Sequence, residues 1–241
     1  MKKNFIIFDV WGDYAHFRKY YTTSSPLTFS IPPRTAIIGL ISAIIGLDKK
    51  QYLSLMTKDK ADISVRVINP IKKVRMWQNL INTKDGFWTP VKKGKHEPRT
   101  QICFEYLKAP KFRIYFTHFD DEIYNSLKEN LKNHKSVYTP CLGLSELIAD
   151  FKFVDEVSVV ECCDNKNFFD VYSVLPVNVI KEINLLIPNR KYFKERIPVE
   201  MLQDRIVKEY REVIYEINGS SIKAKIDNAL LLSNNDVIIS L

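Results

Sequence analysis

Two stretches of this chain gather residue types able to grip a polyanion. The first, residues 15–40, reads AHFRKYYTTSSPLTFSIPPRTAIIGL. Arg18 and Lys19 can neutralise phosphates, while Thr22, Thr23, Ser24 and Ser25 can donate to phosphate or 2′-hydroxyl oxygens. Tyr20 and Tyr21 offer flat faces for unstacked bases. Beyond Pro33, Arg34 and Thr35 open an apolar run with the marks of a helix start, where unpaired N–H groups and the positive dipole end suit a phosphate. Arg34 would add a bidentate fork. The second stretch, residues 70–101, holds Lys72, Lys73, Arg75, Lys84, Lys92, Lys93, Lys95 and Arg99 against Asp85 and Glu97, with Trp77, Phe87, Trp88 and His96 interleaved. Solvent-facing tryptophans beside cations stack on a ligand or pack on a partner. The bland alternative is a polar loop whose hydroxyls serve turns and whose aromatic rings cover the core. The density of complementary types favours nucleic acid.

The charge distribution agrees. Residues 1–119 carry 21 Lys and Arg against 8 Asp and Glu, whereas residues 120–241 carry 15 against 20. A +13 half is most easily tolerated when a polyanion neutralises it. An anionic membrane would also serve, but there is no basic amphipathic helix, so no membrane partner is expected. The longest apolar stretch, residues 36–45, is about half a bilayer span, and no secretory h-region follows Lys2 and Lys3. A cytoplasmic protein is expected. Four cysteines and four histidines show no paired ligand spacing, so neither a metal nor another cofactor is expected.

The elements that must position these stretches follow from apolar patterning. Residues 4–10 form a core strand, and residues 34–45 form a largely buried helix that starts after Pro33 and stops at Gly46. Residues 61–68 alternate as a half-buried strand. Residues 102–107 and 112–117 are strand-like and flank Ala109-Pro110 as a hairpin or a bent strand. Asp120 and Asp121 cap a helix carrying Ile123, Leu127 and Leu131, and residues 151–160 supply another strand. Strand, helix, strand, strand, helix, strand is the order of an α+β, ferredoxin-like (RRM-like) sheet with both helices on one face. Residues 70–101 would be an insertion in it. The boundaries are residues 1–165 for this domain and 166–241 for a small β-rich C-terminal region.

At these residues the sequence resembles the Cas-five family of CRISPR-associated RAMP proteins, most closely its type I-B members. The motifs are FIIFDVWGDYAHFRK, TTSSPLTFSIPPRTAIIGLISAIIG, EPRTQICFEYLKAPKFRIYF and YTPCLGLSEL. The resemblance implies a subunit of a type I Cascade complex that caps the 5′ handle of the guide RNA. It implies a RAMP domain whose basic thumb, here 70–101, reaches over that RNA. It also implies contacts to the backbone subunit, to the large subunit and, through the complex, to target DNA. On this reading Arg18, Lys19, Tyr20, Tyr21, Thr22, Thr23, Ser24, Arg34 and Thr35 cradle the handle. Arg75, Trp77, Gln78, Arg99, Thr100 and Gln101 clamp it from the thumb.

The chain departs from the family in two places. Related proteins often carry a glycine-rich loop near the C-terminus, whereas only Gly143 and Gly219 lie beyond residue 94 here. Type I-C members cleave precursor guide RNA with a tyrosine, lysine and histidine set, but here Thr117 rather than a lysine precedes His118. A non-catalytic RNA-binding subunit is therefore the leading expectation. The alternative is a metal-independent endoribonuclease using His16 or His118. A structural protein whose basic half meets an acidic partner is a third class.

Overall fold

The computed structural model describes residues 4–241 apart from 87, 96, 164 and 165. Along the chain run β1 (Asn4–Trp11), β2 (Tyr14–Ala15), α1 (Arg34–Ile45), α2 (Tyr52–Leu55), β3 (Ala61–Val67) and β4 (Lys73–Ile81). These are followed by β5 (Arg99–Lys108), β6 (Lys111–His118), α3 (Asp121–Lys132) and β7 (Asp150–Cys163). The C-terminal part adds β8 (Phe169–Val171), β9 (Leu175–Pro176), a 3-10 turn (Val177–Val179), β10 (Ile180–Ile183), β11 (Tyr192–Met201), β12 (Val207–Glu216), β13 (Ile222–Ile226), β14 (Ala229–Leu232) and β15 (Val237–Ile238).

Local punctuation explains both long helices. Pro33 precedes α1, and Gly46 ends it at φ 79°, its N–H donating to the Ser42 carbonyl. The Asp120 carboxylate accepts the Glu122 N–H at the start of α3. The faces of β1 explain the core. Ile6, Phe8 and Val10 pack with α1 and α3, while Phe5 and Ile7 face the other way and meet Leu232 and Ile238. A strand covered on both sides needs apolar residues at both parities, and β1 has them.

The expected order of alternating elements is met by β1, α1, β3, β6, α3 and β7, whose strands stand side by side as β7-β1-β6-β3 with antiparallel neighbours. The sheet does not stop at four strands. It has nine, in the order β10-β13-β8-β15-β14-β7-β1-β6-β3. The boundary expected near residue 165 falls inside this sheet, because β14 pairs with β7. The C-terminal region is β-rich as expected, but it is joined to the rest: Ile197, Val199, Val213 and Tyr215 of the β11–β12 hairpin lie in the same core as α1.

The residues flanking Ala109-Pro110 form a bend rather than a hairpin. Ala109 adopts φ 46°, and the chain passes from β5, in a separate sheet β2-β5-β4, to β6 in the main sheet. The segment 70–101 opens and closes on strands, β4 and the start of β5. Its first part is β4, which pairs with β5 from Lys73↔Leu107 to Ile81↔Arg99; β2 joins β5 only at Leu107 and Lys108, so the rest of the pair is a two-stranded ribbon with an exposed outer face. Among the described residues, no helix is long and apolar enough to cross a membrane.

The ribbon's base is locked by close backbone approach. The N–H of His16 donates to the Leu142 carbonyl, and Gly143 has φ 102°. A Cβ at Gly143 would collide with the His16 carbonyl oxygen. Gly143→Ala is therefore expected to destabilise the fold by more than about 1 kcal/mol, read as a lower denaturant midpoint at unchanged slope.

Candidate nucleic-acid interface

The register of the β4–β5 ribbon sorts its residues onto two faces, because directly opposed residues in an antiparallel pair point the same way. Arg75, Trp77, Asn79 and Ile81 share one face with Glu105, Cys103, Gln101 and Arg99. Val74, Met76, Gln78 and Leu80 share the other with Tyr106, Phe104, Ile102 and Thr100. The first face is the more open of the two, and Trp77 is 70% exposed on it. The clamp read from sequence is thus divided. Arg75, Trp77, Arg99 and Gln101 converge, whereas Gln78 and Thr100 lie on the reverse side. Asn79, between Trp77 and Ile81, was missed; the alternation of Arg75, Trp77 and Asn79 was its only signal. Trp88 is exposed at the tip, and the interleaved Phe87 and His96 lie outside the described residues.

A two-stranded ribbon is marginal alone, and its reverse face supplies the anchor. The His16 ring packs edge-on against Phe104 at 5.5 Å and lies 5.6 Å from Tyr106, which also meets Tyr14. His16 is buried, and its Nδ1 lies 2.7 Å from the Glu105 carbonyl oxygen. Burial lowers its pKa below the ordinary value, outweighing the carbonyl contact.

The loop between β2 and α1 is stitched to the ribbon. Pro26 accepts the Glu105 N–H, the Glu105 carboxylate accepts the Thr28 N–H, and Lys73 reaches both Glu105 Oε1 and the Thr28 carbonyl. The loop is folded on itself: Arg18 bridges Thr28, the Lys19 N–H donates to Leu27, and the Thr22 hydroxyl donates to the Lys19 carbonyl. Exposed on it are Arg18, Tyr20, Tyr21, Thr23 and Ser24. Lys19 is not free: its Nζ lies 2.6 Å from Glu195 Oε1, and although burial opposes it, that partner raises the lysine pKa. The Thr22 hydroxyl serves the turn.

Arg34 corrects the sequence reading most sharply. It is 1% exposed, and its guanidinium donates to the carbonyls of Val199, Met56, Thr57 and Ala61. Burial lowers its pKa to about 10, against the opposing charges of Glu200 and Asp62. With Pro33 also buried and β11 packed over it, this helix start offers no phosphate seat. Thr35 is half-buried beside it.

The two histidines considered for cleavage are both built into the fold. His118 accepts the Asp120 N–H at Nδ1 (2.9 Å), and its Nε2 lies 2.9 Å from the Leu55 carbonyl, so both ring nitrogens are engaged. Among the described residues, no group of three or more His, Cys, Asp or Glu side chains could hold a metal ion.

The family model described as CRISPR-associated protein (Cas_Cas5) matches residues 5–215. The chain belongs to this family. A CRISPR protein from Archaeoglobus fulgidus has the same fold: 98% of this chain covers 99% of that one, with a TM-score of 0.54 at 15% identity. A chain of a CRISPR RNA-guided surveillance complex aligns over 92% of each chain at 12% identity and a TM-score of 0.47. A chain of the type III-B Cmr-beta complex bound to cognate target RNA aligns over 90% of this chain and 86% of its own at 13% identity, with a TM-score of 0.49. No protein of curated function matches the chain in sequence.

Two outcomes follow for the buried Arg34 and His16. Arg34→Met is expected to lower stability by roughly 3 kcal/mol, since buried carbonyls lose a charged donor. RNA affinity of the folded fraction should stay within twofold of the parent by titration well below the melting temperature. For His16, the unfolded chain binds a proton near pH 6.5 and the folded chain only at lower pH. Its contribution is therefore complete above 6.5 and lost as pH falls. Denaturant midpoints measured between pH 7.5 and 5 should fall in the parent and fall less in His16→Gln.

Proposed function

We propose that this protein is a non-catalytic RNA-binding subunit of a type I CRISPR Cascade complex, of the ferredoxin-like RAMP type with a thumb. It binds and caps the 5′ handle of the guide RNA and anchors the backbone and large subunits, so that target DNA is met through the complex. The observation that carries this reading is the open ribbon face. Arg75 and Arg99 bring cations that make no ion pair among the described residues, Trp77 brings a stacking surface, and Asn79 and Gln101 bring amide donors and acceptors. That combination suits a single strand: guanidinium groups for phosphates, an aromatic plane for a base, and amides for base edges or the 2′-hydroxyl. The loop adds Arg18, Tyr20, Tyr21, Thr23 and Ser24 at the ribbon's base.

Membership of the CRISPR-associated family supports the guide RNA as the strand, and the local basic excess supports a phosphate-dominated interface. The engagement of His118 at both ring nitrogens and the burial of His16 support binding rather than cleavage.

The test uses labelled repeat-containing precursor RNA and, separately, the matching 5′ handle, with excess chelator present. Handle binding without cleavage is expected, with log affinity falling steeply against log salt. Trp77→Ala should weaken binding by about 1–3 kcal/mol, as expected for a lost base stack, and Arg75→Ala by a comparable amount with a shallower salt slope. Cleavage in chelator that is lost on His118→Ala would establish the endoribonuclease reading instead.

A further inference from the structure

The β11–β12 hairpin lies in the acidic half of the chain, yet most of the carboxylates on its strands are paired with cations in place. Glu195 holds Lys19, Glu209 holds Lys58 and Arg211, Glu212 holds Lys194, and Glu200 holds Lys208. Arg196, exposed on the same hairpin, makes no ion pair among the described residues. Its guanidinium carbon instead lies 5.0 Å from the centre of the Tyr210 ring. Tyr210 is in turn 4.9 Å from Tyr20, and Tyr20 is 5.2 Å edge-on from Tyr21. The result is a continuous surface series of guanidinium, ring, ring and ring, crossing from the hairpin to the loop that borders the ribbon. Its last two rings remain 55% and 60% exposed.

We propose that Arg196, Tyr210 and Tyr20 form a second stacking site for unpaired RNA bases, which carries the strand from the ribbon onto the β11–β12 hairpin. The proposal rests on the RNA-binding reading above and extends it to a part of the chain that the sequence reading left out of the interface. Three observations favour RNA as the occupant. Adjoining, partly exposed rings beside an arginine without an ion pair among the described residues suit bases and phosphates together. Arg18, two residues before Tyr20 in the same loop and exposed, makes no ion pair among the described residues and donates to the Thr22 carbonyl. Thr23 and Ser24, both exposed, fall in the chain between Tyr21 and Pro26, whose carbonyl accepts the N–H of Glu105 on the ribbon.

The experiment titrates the full chain with single-stranded RNA carrying the repeat-derived handle, with 2-aminopurine placed at successive positions. Variants are Tyr20→Leu, Tyr210→Leu, Arg196→Gln and, as a ribbon comparator, Trp77→Ala, each checked for an unchanged melting transition. The expected result is at least fivefold weaker binding for both tyrosine variants, with 2-aminopurine quenching lost at positions where Trp77→Ala retains it. Arg196→Gln should weaken binding and reduce its salt dependence. If Tyr20→Leu and Tyr210→Leu match the parent while Trp77→Ala binds weakly, the second site is wrong and the ribbon reading stands. If those variants keep RNA affinity but lose association with a neighbouring subunit, the surface is a protein interface and the proposal fails. If the parent binds no RNA, the proposal falls together with the reading it rests on.

Discussion

The buried guanidinium of Arg34 is the constraint on which the arrangement depends. One cation at the start of α1 draws in carbonyls from the end of α2, the turn after it, the first residue of β3 and, from 165 residues away, Val199 on β11. A charge can be held in so dry a place only if several oriented dipoles replace its water. Satisfying Arg34 therefore fixes the β11–β12 hairpin over the helix. With the hairpin fixed, Glu195 stands where it can receive Lys19, the Ser30 N–H and the Tyr215 hydroxyl. The loop is thereby tied down at both ends of its exposed stretch.

From that loop the order passes to the ribbon through a second carboxylate. Glu105 ties Thr28 and Lys73 together, and the His16–Phe104–Tyr106 packing fills the ribbon's reverse side. Two acidic residues of the basic half act as staples: Asp9 holds Lys111 and Arg113, and Glu105 holds Lys73. Each staple removes a cation from the pool that faces solvent. Among the described residues, Arg18, Arg75 and Arg99 are left without an ion pair in the same loop and ribbon that carry the exposed rings of Tyr20, Tyr21 and Trp77.

How much of this was legible in the sequence depended on whether the signal was local. α1 and α3 were marked by Pro33, Gly46 and Asp120, and β1, β3 and β7 by their apolar runs. β4 was not legible as a strand, because its alternation places cations and aromatic residues, not apolar ones, on an exposed face. The residue types of the interface were readable, but their faces were not. Gln78 and Thr100 fall behind the ribbon for a reason visible only in the register of Lys73–Ile81 against Arg99–Lys108. Arg34 misled because helix-start arginines and buried clasps look alike until the distant strand is in place. The continuation of the sheet through β14 was hidden for the same reason, since its partner β7 lies far away in sequence.

The central claim is that RNA lies on one face of the ribbon, and residue-resolved photocrosslinking tests it most directly. Handle RNA carrying 4-thiouridine would be bound to the full chain, irradiated and digested, and the adducts located by mass spectrometry. The account predicts adducts on the Arg75, Trp77, Asn79, Gln101 and Arg99 face. Adducts confined to Gln78, Leu80 and Thr100 would contradict it.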